Sequence, residues 1–276
     1  MSDAYSTTAR YYDTLAETRN TDQVRGDIAF YVERAKISGG PALEFGAGTL
    51  RITLALAEAG IPVVAVDNSP AMLRAAKDKL RRIPSDVRKR ITLIEGDMCS
   101  PPPLPVEKFP FALITFRAFQ NILAPQEQRS CLESVRKLLV PGGRLAFDIF
   151  DPRLEVLAPN VQDMFGAPLR HMSTFPFTDP LSGERSTVSV SIVRTGIDYT
   201  AQVFTEQWIF DAWDERGILT RKVEERKLRW SYRYEVEYLL RLAGFSPIYL
   251  YGDFSRSPFR YGDHQVWIAE TPVEGF

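Results

Sequence analysis

Residues 43–49 read Leu43-Glu44-Phe45-Gly46-Ala47-Gly48-Thr49, and the two glycines one residue apart decide the fold. Before them, Pro41 to Phe45 reads as a short strand. After them, Leu50 to Ala59 carries Leu54, Ala55, Leu56 and Ala59 as a helix closed by Gly60. Glycine between a strand and a helix lets backbone approach a ligand closely, where a side chain would obstruct it. Taken alone, the same pattern also suits a plain tight turn.

Outward from this turn the alternation continues. Upstream, residues 8–36 read as two short helical pieces. Downstream, Val63-Val64-Ala65-Val66 is a continuous apolar run that suits a strand covered on both faces. Ser69 is the expected N-cap of a helix from Pro70 to about Arg82, with proline at its first position. Ile91 to Ile94 predicts a third strand and Ala112 to Thr115 lies in a fourth. Gln126 to Leu139 predicts a helix, and Pro141-Gly142-Gly143 turns into a fifth strand from Arg144 to Phe150. Strands alternating with helices argue for an α/β, doubly wound, mostly parallel sheet with right-handed crossovers.

After Asp151 the pattern changes. Residues 153–170 are loop-like with possible helix. Ser186 to Ile197, Gln202 to Ala212 and Ile218 to Trp230 then read as antiparallel strands joined by turns such as Asp214-Glu215-Arg216-Gly217. A helix from Tyr232 to Ala243 and strands at Ser246 to Tyr251 and Gln265 to Glu270 return to the core sheet. The expected division is 1–152 for N-terminal helices and ligand-binding core, 153–230 for an antiparallel lid, and 231–276 for the return.

Composition narrows the function. Thirty-four basic against 35 acidic side chains give a net charge of −1, so no excess of charge points to nucleic acid or to an anionic membrane. The basic cluster Arg81-Arg82 and Arg88-Lys89-Arg90 reads as a solvated surface. Two cysteines, Cys99 and Cys131, suit neither a disulfide framework nor a metal site, and no N-terminal apolar run resembles a signal peptide, so a reducing cytoplasm is expected.

Acids gather around the glycine turn. Glu44 precedes it, Asp67 ends the second strand about twenty residues beyond Gly48, and Asp97 ends the third in Glu95-Gly96-Asp97-Met98. Ligands of open α/β sheets bind at these strand ends. A dinucleotide fingerprint would have a third glycine at position 51, which is Arg51, and a pyrophosphate disfavours neighbouring carboxylates. An adenosine carrying a positive charge fits better, as in S-adenosyl-L-methionine.

Leu43 to Thr49, Val66-Asp67-Asn68-Ser69-Pro70-Ala71-Met72-Leu73, Glu95 to Met98 and Leu139-Val140-Pro141-Gly142-Gly143-Arg144-Leu145 resemble, in order and spacing, the motifs of class I S-adenosylmethionine-dependent methyltransferases. The resemblance covers about residues 40 to 150. It implies a seven-stranded sheet whose last strand is antiparallel. It also assigns Glu44, Gly46 and Gly48 to the methionine moiety, Asp67 to the ribose hydroxyls, Asn68 and Met72 to the adenine surroundings, and Asp97 with Met98 to the adenine edge. Met72 also suits plain core packing. One departure is Leu50, where many relatives have glycine; it is expected to be helical and packed. Ala9-Arg10-Tyr11-Tyr12-Asp13 resembles a Tyr-Asp stretch that folds over the cofactor, so Tyr11 and Tyr12 are candidates for closing the site, or ordinary helix packing.

The methyl acceptor is read from the residues after the fourth strand. Amino-methyltransferases of nucleic acids tend to carry Asn/Asp-Pro-Pro-aromatic there, whereas this chain has Thr115-Phe116-Arg117-Ala118. A small-molecule acceptor is therefore expected, with no nucleic acid and no membrane as partner. Phe116 is placed beside the cofactor, and Arg117 and Asn121 toward the acceptor. Arg117 suits either a substrate carboxylate or a structural ion pair. In amino-sugar relatives the position matching Asn121 can be a histidine acting as base, and asparagine cannot take a proton at neutral pH. The aromatic-rich insertion, with Phe204, Glu206 and Trp208 on one face, resembles the lids of glycine and amino-sugar N-methyltransferases, which cover a pocket or build a homodimer. Neither His171 nor His264 ends a strand of the cofactor crevice; His264 reads as a surface or satisfied position before the last strand, and His171, in the insertion, could face inward. Two other readings stay open: a protein that binds S-adenosylmethionine without turnover, and a nicotinamide-dependent oxidoreductase.

Overall fold

The computed structural model describes residues 5–18, 26–153, 157 and 168–273. In chain order the core runs α1 (Thr8–Thr18), α2 (Asp27–Ser38), β1 (Ala42–Phe45), α3 (Arg51–Glu58), β2 (Val63–Asp67), α4 (Pro70–Leu80), α5 (Ser85–Arg88), β3 (Ile91–Glu95), β4 (Phe109–Ile114), α6 (Pro125–Leu138) and β5 (Leu139–Phe150). Then come β6 (Arg170–Thr178), β7 (Arg185–Asp198), β8 (Val203–Asp214), β9 (Leu219–Arg229), α7 (Arg233–Leu242), β10 (Ile248–Tyr251) and β11 (His264–Glu270). Most of the loop-like stretch expected at 153–170 lies outside the described residues.

Every residue of β1 and β2 is buried, as strands covered on both faces must be, Glu44 and Asp67 included. Strand alternation divides that core in two. Leu43 and Phe45 face a cluster with Phe109, Leu132, Val135, Leu240 and Trp267, while Ala42, Phe111 and Leu113 face the other side with Phe30, Tyr31, Ile52 and Leu56. Burial of each such Leu, Ile or Phe contributes about 1.5–3 kcal/mol. The sheet order is β10-β11-β5-β4-β1-β2-β3, and β11 alone runs antiparallel to its neighbours β5 and β10. The expected seven-stranded, mostly parallel sheet is therefore present. The chain winds from β1 to β3 on one side, then returns so that β4 pairs with β1 on the other. The crevice beyond β1 and β4 is this sheet's switch point.

The insertion is a separate four-stranded antiparallel sheet, β6-β7-β8-β9. Three of its strands match the expected ones; β6 does not. Its sequence, RHMSTFPFT, contains Pro176, which argues against an interior strand, and β6 is an edge strand where a missing N–H is tolerated. Phe175 and Phe177 alternate inward with Val188, Val190 and Phe210, against Tyr11 and Leu15 of α1. Helix α1 thus packs on the second sheet.

Leu50 corrects a further expectation. It is fully buried, but it is the N-cap of α3 in the left-handed region, with φ of 69°. Glycine at this position in many relatives follows from that backbone conformation. No helix among the described residues is long and apolar enough to cross a membrane.

Candidate active site

A cavity of about 320 Å³ opens at the switch point. Its floor is the turn after β1. Gly46 and Gly48 both have positive φ, and a Cβ on Gly46 would stand 2.5 Å from the Cβ of Ala118 in the turn after β4. Only glycine lets the two turns touch. Asp67 stands beside this floor, its Oδ2 accepting the Gly48 N–H at 2.7 Å and its Oδ1 the Ser69 N–H at 2.8 Å. The Ser69 hydroxyl accepts from the Met72 N–H at 3.2 Å, the expected N-cap, which brings Asn68 and Met72 into the wall. Asp97 and Met98 line the next stretch, where Asp97 Oδ1 accepts the Cys99 N–H at 2.9 Å.

The turn after β4 supplies the opposite wall through Phe116, Arg117 and Asn121. Phe116 and Arg117 have φ of 51° and 65°, two consecutive non-glycine residues in the left-handed region. Each costs on the order of 1–3 kcal/mol and needs support from its surroundings. Asp148 of β5 gives it: one carboxylate oxygen accepts the Phe116 N–H at 2.9 Å and the Tyr31 hydroxyl at 2.7 Å. Burial raises the Asp148 pKa, against the hydrogen bond from Tyr31. Arg117 approaches His264 Nε2 at 3.2 Å and lies 5.6 Å over the Phe150 ring. Burial and this guanidinium push His264 down to about 3, so the imidazole is neutral at physiological pH. His264 is buried next to a residue of the cavity wall that lies 147 positions away in the chain.

Ten residues singled out in the sequence thus share one cavity: Gly46, Gly48, Asp67, Asn68, Met72, Asp97, Met98, Phe116, Arg117 and Asn121. Two others lie elsewhere. Glu44 is buried beneath the floor, accepting hydrogen bonds from Thr53 and from Thr115, the latter at 3.1 Å. Burial pushes its carboxyl up to about 7, with the two threonine hydroxyls opposing. Tyr11 is turned away, edge-on to Phe177 at 4.8 Å and stacked on Phe210 at 5.7 Å. Successive helical residues point about 100° apart, and on α1 it is Tyr12 that lines the cavity, edge-on to Phe116 at 5.9 Å.

Tyr5, Arg226 and Leu228 also line the cavity and carry no sequence signal of their own. The Tyr5 hydroxyl donates to Asn121 Oδ1 at 2.6 Å, while Asn121 Nδ2 donates to the Ala118 carbonyl at 3.1 Å. Both ends of the carboxamide are fixed. Trp208 reaches the cavity from β8, as part of the aromatic face read in the insertion. Glu206, on the same face as Phe204 and Trp208, is buried and paired with the chain's own Arg194 at 3.1 Å.

The donor set favours an adenosine-bearing cation over a phosphate. Asp67 and Asp97 are carboxylates at adjacent strand ends, and Arg51, where a third glycine would stand, is committed to an ion pair with Asp27. The fold is that of the class I S-adenosylmethionine-dependent methyltransferases. Within that class, residues 42–143 match the family described as "Methyltransferase domain".

Similarity reaches beyond this segment. The cypemycin N-terminal methyltransferase of a Streptomyces species is 26% identical over 247 residues, 88% of each chain. The solved CcbJ methyltransferase from Streptomyces caelestis superposes with a TM-score of 0.73 at 21% identity, covering 98% of this chain and 100% of that one. An uncharacterized methyltransferase of Anoxybacillus flavithermus is 34% identical over 110 residues, 40% of this chain and 47% of its own length. The chain spans about half the length of that curated relative.

Proposed function

We propose that the protein transfers the methyl group of S-adenosylmethionine to a nitrogen or oxygen nucleophile of a small molecule by direct displacement. One observation carries this: residues matching the cofactor motifs and the polar pair Tyr5–Asn121 line the same cavity. The cofactor supplies an electrophilic methyl group, and catalysis then rests on alignment, with help from proton removal where the nucleophile needs it. In this reading Asp67 holds the ribose hydroxyls, Asn68, Met72, Asp97 and Met98 surround the adenine, and Gly46 and Gly48 admit the methionine moiety. Phe116 and Tyr12 close over the cofactor. Asn121 fixes the Tyr5 hydroxyl by accepting its hydrogen bond, and so orients the acceptor without acting as a base.

Residues 153–230 are the lid in this proposal, closing on a core of 1–152 and 231–276, with its outer face available to a second copy. The cell compartment is a reducing cytoplasm, consistent with Cys99 and Cys131 both being free thiols. The relative named for N-terminal methylation supports a nitrogen acceptor.

The test has two parts. Calorimetric titration with S-adenosylmethionine and with NAD establishes the cofactor; binding of NAD alone refutes the proposal. Incubation with methyl-labelled cofactor and pooled metabolites then reads turnover, and transfer of label is expected to fall at least tenfold in Asn121→Ala.

A further inference from the structure

We infer that the methyl acceptor carries an anionic group, a carboxylate or a phosphate, seated on Arg226 and Arg117 beside Asn121. This deepens the methyl-transfer reading above and rests on it.

Arg226 projects from β9 into the cavity with its side chain only 9% exposed. Its guanidinium lies 3.9 Å over the Trp208 ring and 4.7 Å from the centre of the Tyr5 ring, so two aromatic faces shield it from water. Its hydrogen bonds to the Glu224 carboxylate, at 3.3 Å, and to the Thr8 hydroxyl both leave from Nη2. Nε is buried with no partner among the described residues. A buried guanidinium is costly unless its donors are met, and its planar fork matches a carboxylate or a phosphate.

The Glu224 carboxylate, ion-paired with Arg226 at 3.3 Å, is shared with the start of α1. Glu224 is absent from the cavity wall and is drawn back to the start of α1. There it accepts from the Thr8 N–H at 3.1 Å, from the Thr7 N–H, and from the hydroxyls of Ser6 and Thr8. A carboxylate at a helix N-terminus is held by the helix's own partial positive charge.

Arg117 adds a second cation four residues before Asn121. Its contacts include the neutral His264 and the Phe150 ring, and Asp148 and Glu206 act on it through Coulomb attraction. The acids that line the cavity are Asp67 and Asp97 among the cofactor residues, and Glu127. Two largely buried arginines thus line the same cavity as the Tyr5–Asn121 pair, where little water screens their attraction for an anion.

The test uses the full chain saturated with S-adenosylhomocysteine and titrated with sodium acetate, with inorganic phosphate, and with acetamide as the neutral counterpart. Acetate or phosphate is expected to bind and acetamide not to, and the stronger of the two anions names the group. Arg226→Met and Arg117→Met should each weaken the preferred anion at least tenfold, and Arg226→Lys, which keeps the charge without the fork, should weaken it less. Arg226→Met also loosens α1, so Glu224→Ala serves as the contrast: it cuts the same α1 contacts and leaves the guanidinium, and anion binding should persist or tighten. Equal binding of acetamide, no anion binding in the wild type, or loss in Glu224→Ala as large as in Arg226→Met overturns the inference. Cofactor affinity is measured in the same samples. A wild type that binds no S-adenosylmethionine refutes the methyl-transfer reading, whereas cofactor binding without anion binding refutes this inference alone.

Discussion

Leu50 holds a backbone conformation that costs an L-residue about 1–2 kcal/mol, and it does so while fully buried against Ala47, Ala65 and Ala76. Leu50→Gly relieves the strain but removes packing worth roughly 2–5 kcal/mol, so the net effect is a loss of roughly 2 kcal/mol, measured as a lower denaturant midpoint; a stabilised variant would show that strain dominates. The spelling GTLR marks the departure from glycine, yet the sign of φ follows only from the turn that Gly46 and Gly48 build. Glu44 makes a different prediction. Its ordinary value of 4.5 rises to about 7 on folding, so the folded chain holds a proton that the unfolded chain has released between those values. Its contribution to stability is fully present below pH 4.5 and is lost as pH rises through 7, by about 3 kcal/mol at 1.36 kcal/mol per unit. Glu44→Gln removes the titration; its one oxygen accepts from one threonine and its NH2 donates to the other hydroxyl. The stability of wild type relative to Glu44→Gln, from urea melts at pH 5 to 8, should fall as pH rises; a flat difference contradicts the burial argument.

Strands β2 and β4 were legible as near-continuous apolar runs covered on both faces, and β1 and β5 by the glycines beside or within them. Strand β6 was hidden by Pro176, which only its edge position makes tolerable. The turn after β4 was legible as a place but not as a shape. Its two left-handed residues are held by Asp148 and Tyr31, 32 and 117 positions from the groups they bind, and no local pattern encodes partners that distant. Helix α1 shows the same limit. Two adjacent tyrosines resembled a cofactor-closing stretch, and which of them faces the cavity is settled by docking on the second sheet, where Glu224 caps the helix start. Removing that cap in Glu224→Ala should cost about 1–2 kcal/mol locally and speed amide exchange across the first turns of α1 by roughly 5–30-fold. Exchange in β7 and β8 should be unchanged, since their ladder does not use Glu224; equal acceleration throughout would mean that α1 and the second sheet open as one unit.

The cavity sits where the core sheet reverses its winding, and its walls come from both sheets and from α1. A bound cofactor therefore ties together segments that are distant in the chain, and its binding energy adds to the stability of the whole. At a concentration one hundred times its dissociation constant, S-adenosylmethionine should stabilise the fold by about 2.7 kcal/mol. For a chain of this size that raises the melting temperature by roughly 5–10 °C, at about 2–4 °C per kcal/mol. With Asp67 on the ribose hydroxyls as proposed, Asp67→Ala would remove charge-assisted hydrogen bonds worth about 1.5–3 kcal/mol, so at the same cofactor concentration most of the rise should vanish. Its own melting point without cofactor also falls, because Gly48 and Ser69 lose their shared acceptor. The informative quantity is thus the ligand-induced shift within each variant. NAD at equal concentration should give no shift, since the cavity offers acids where a pyrophosphate needs donors. An NAD shift as large as that of S-adenosylmethionine, or an undiminished shift in Asp67→Ala, would remove the basis for placing the cofactor against β2.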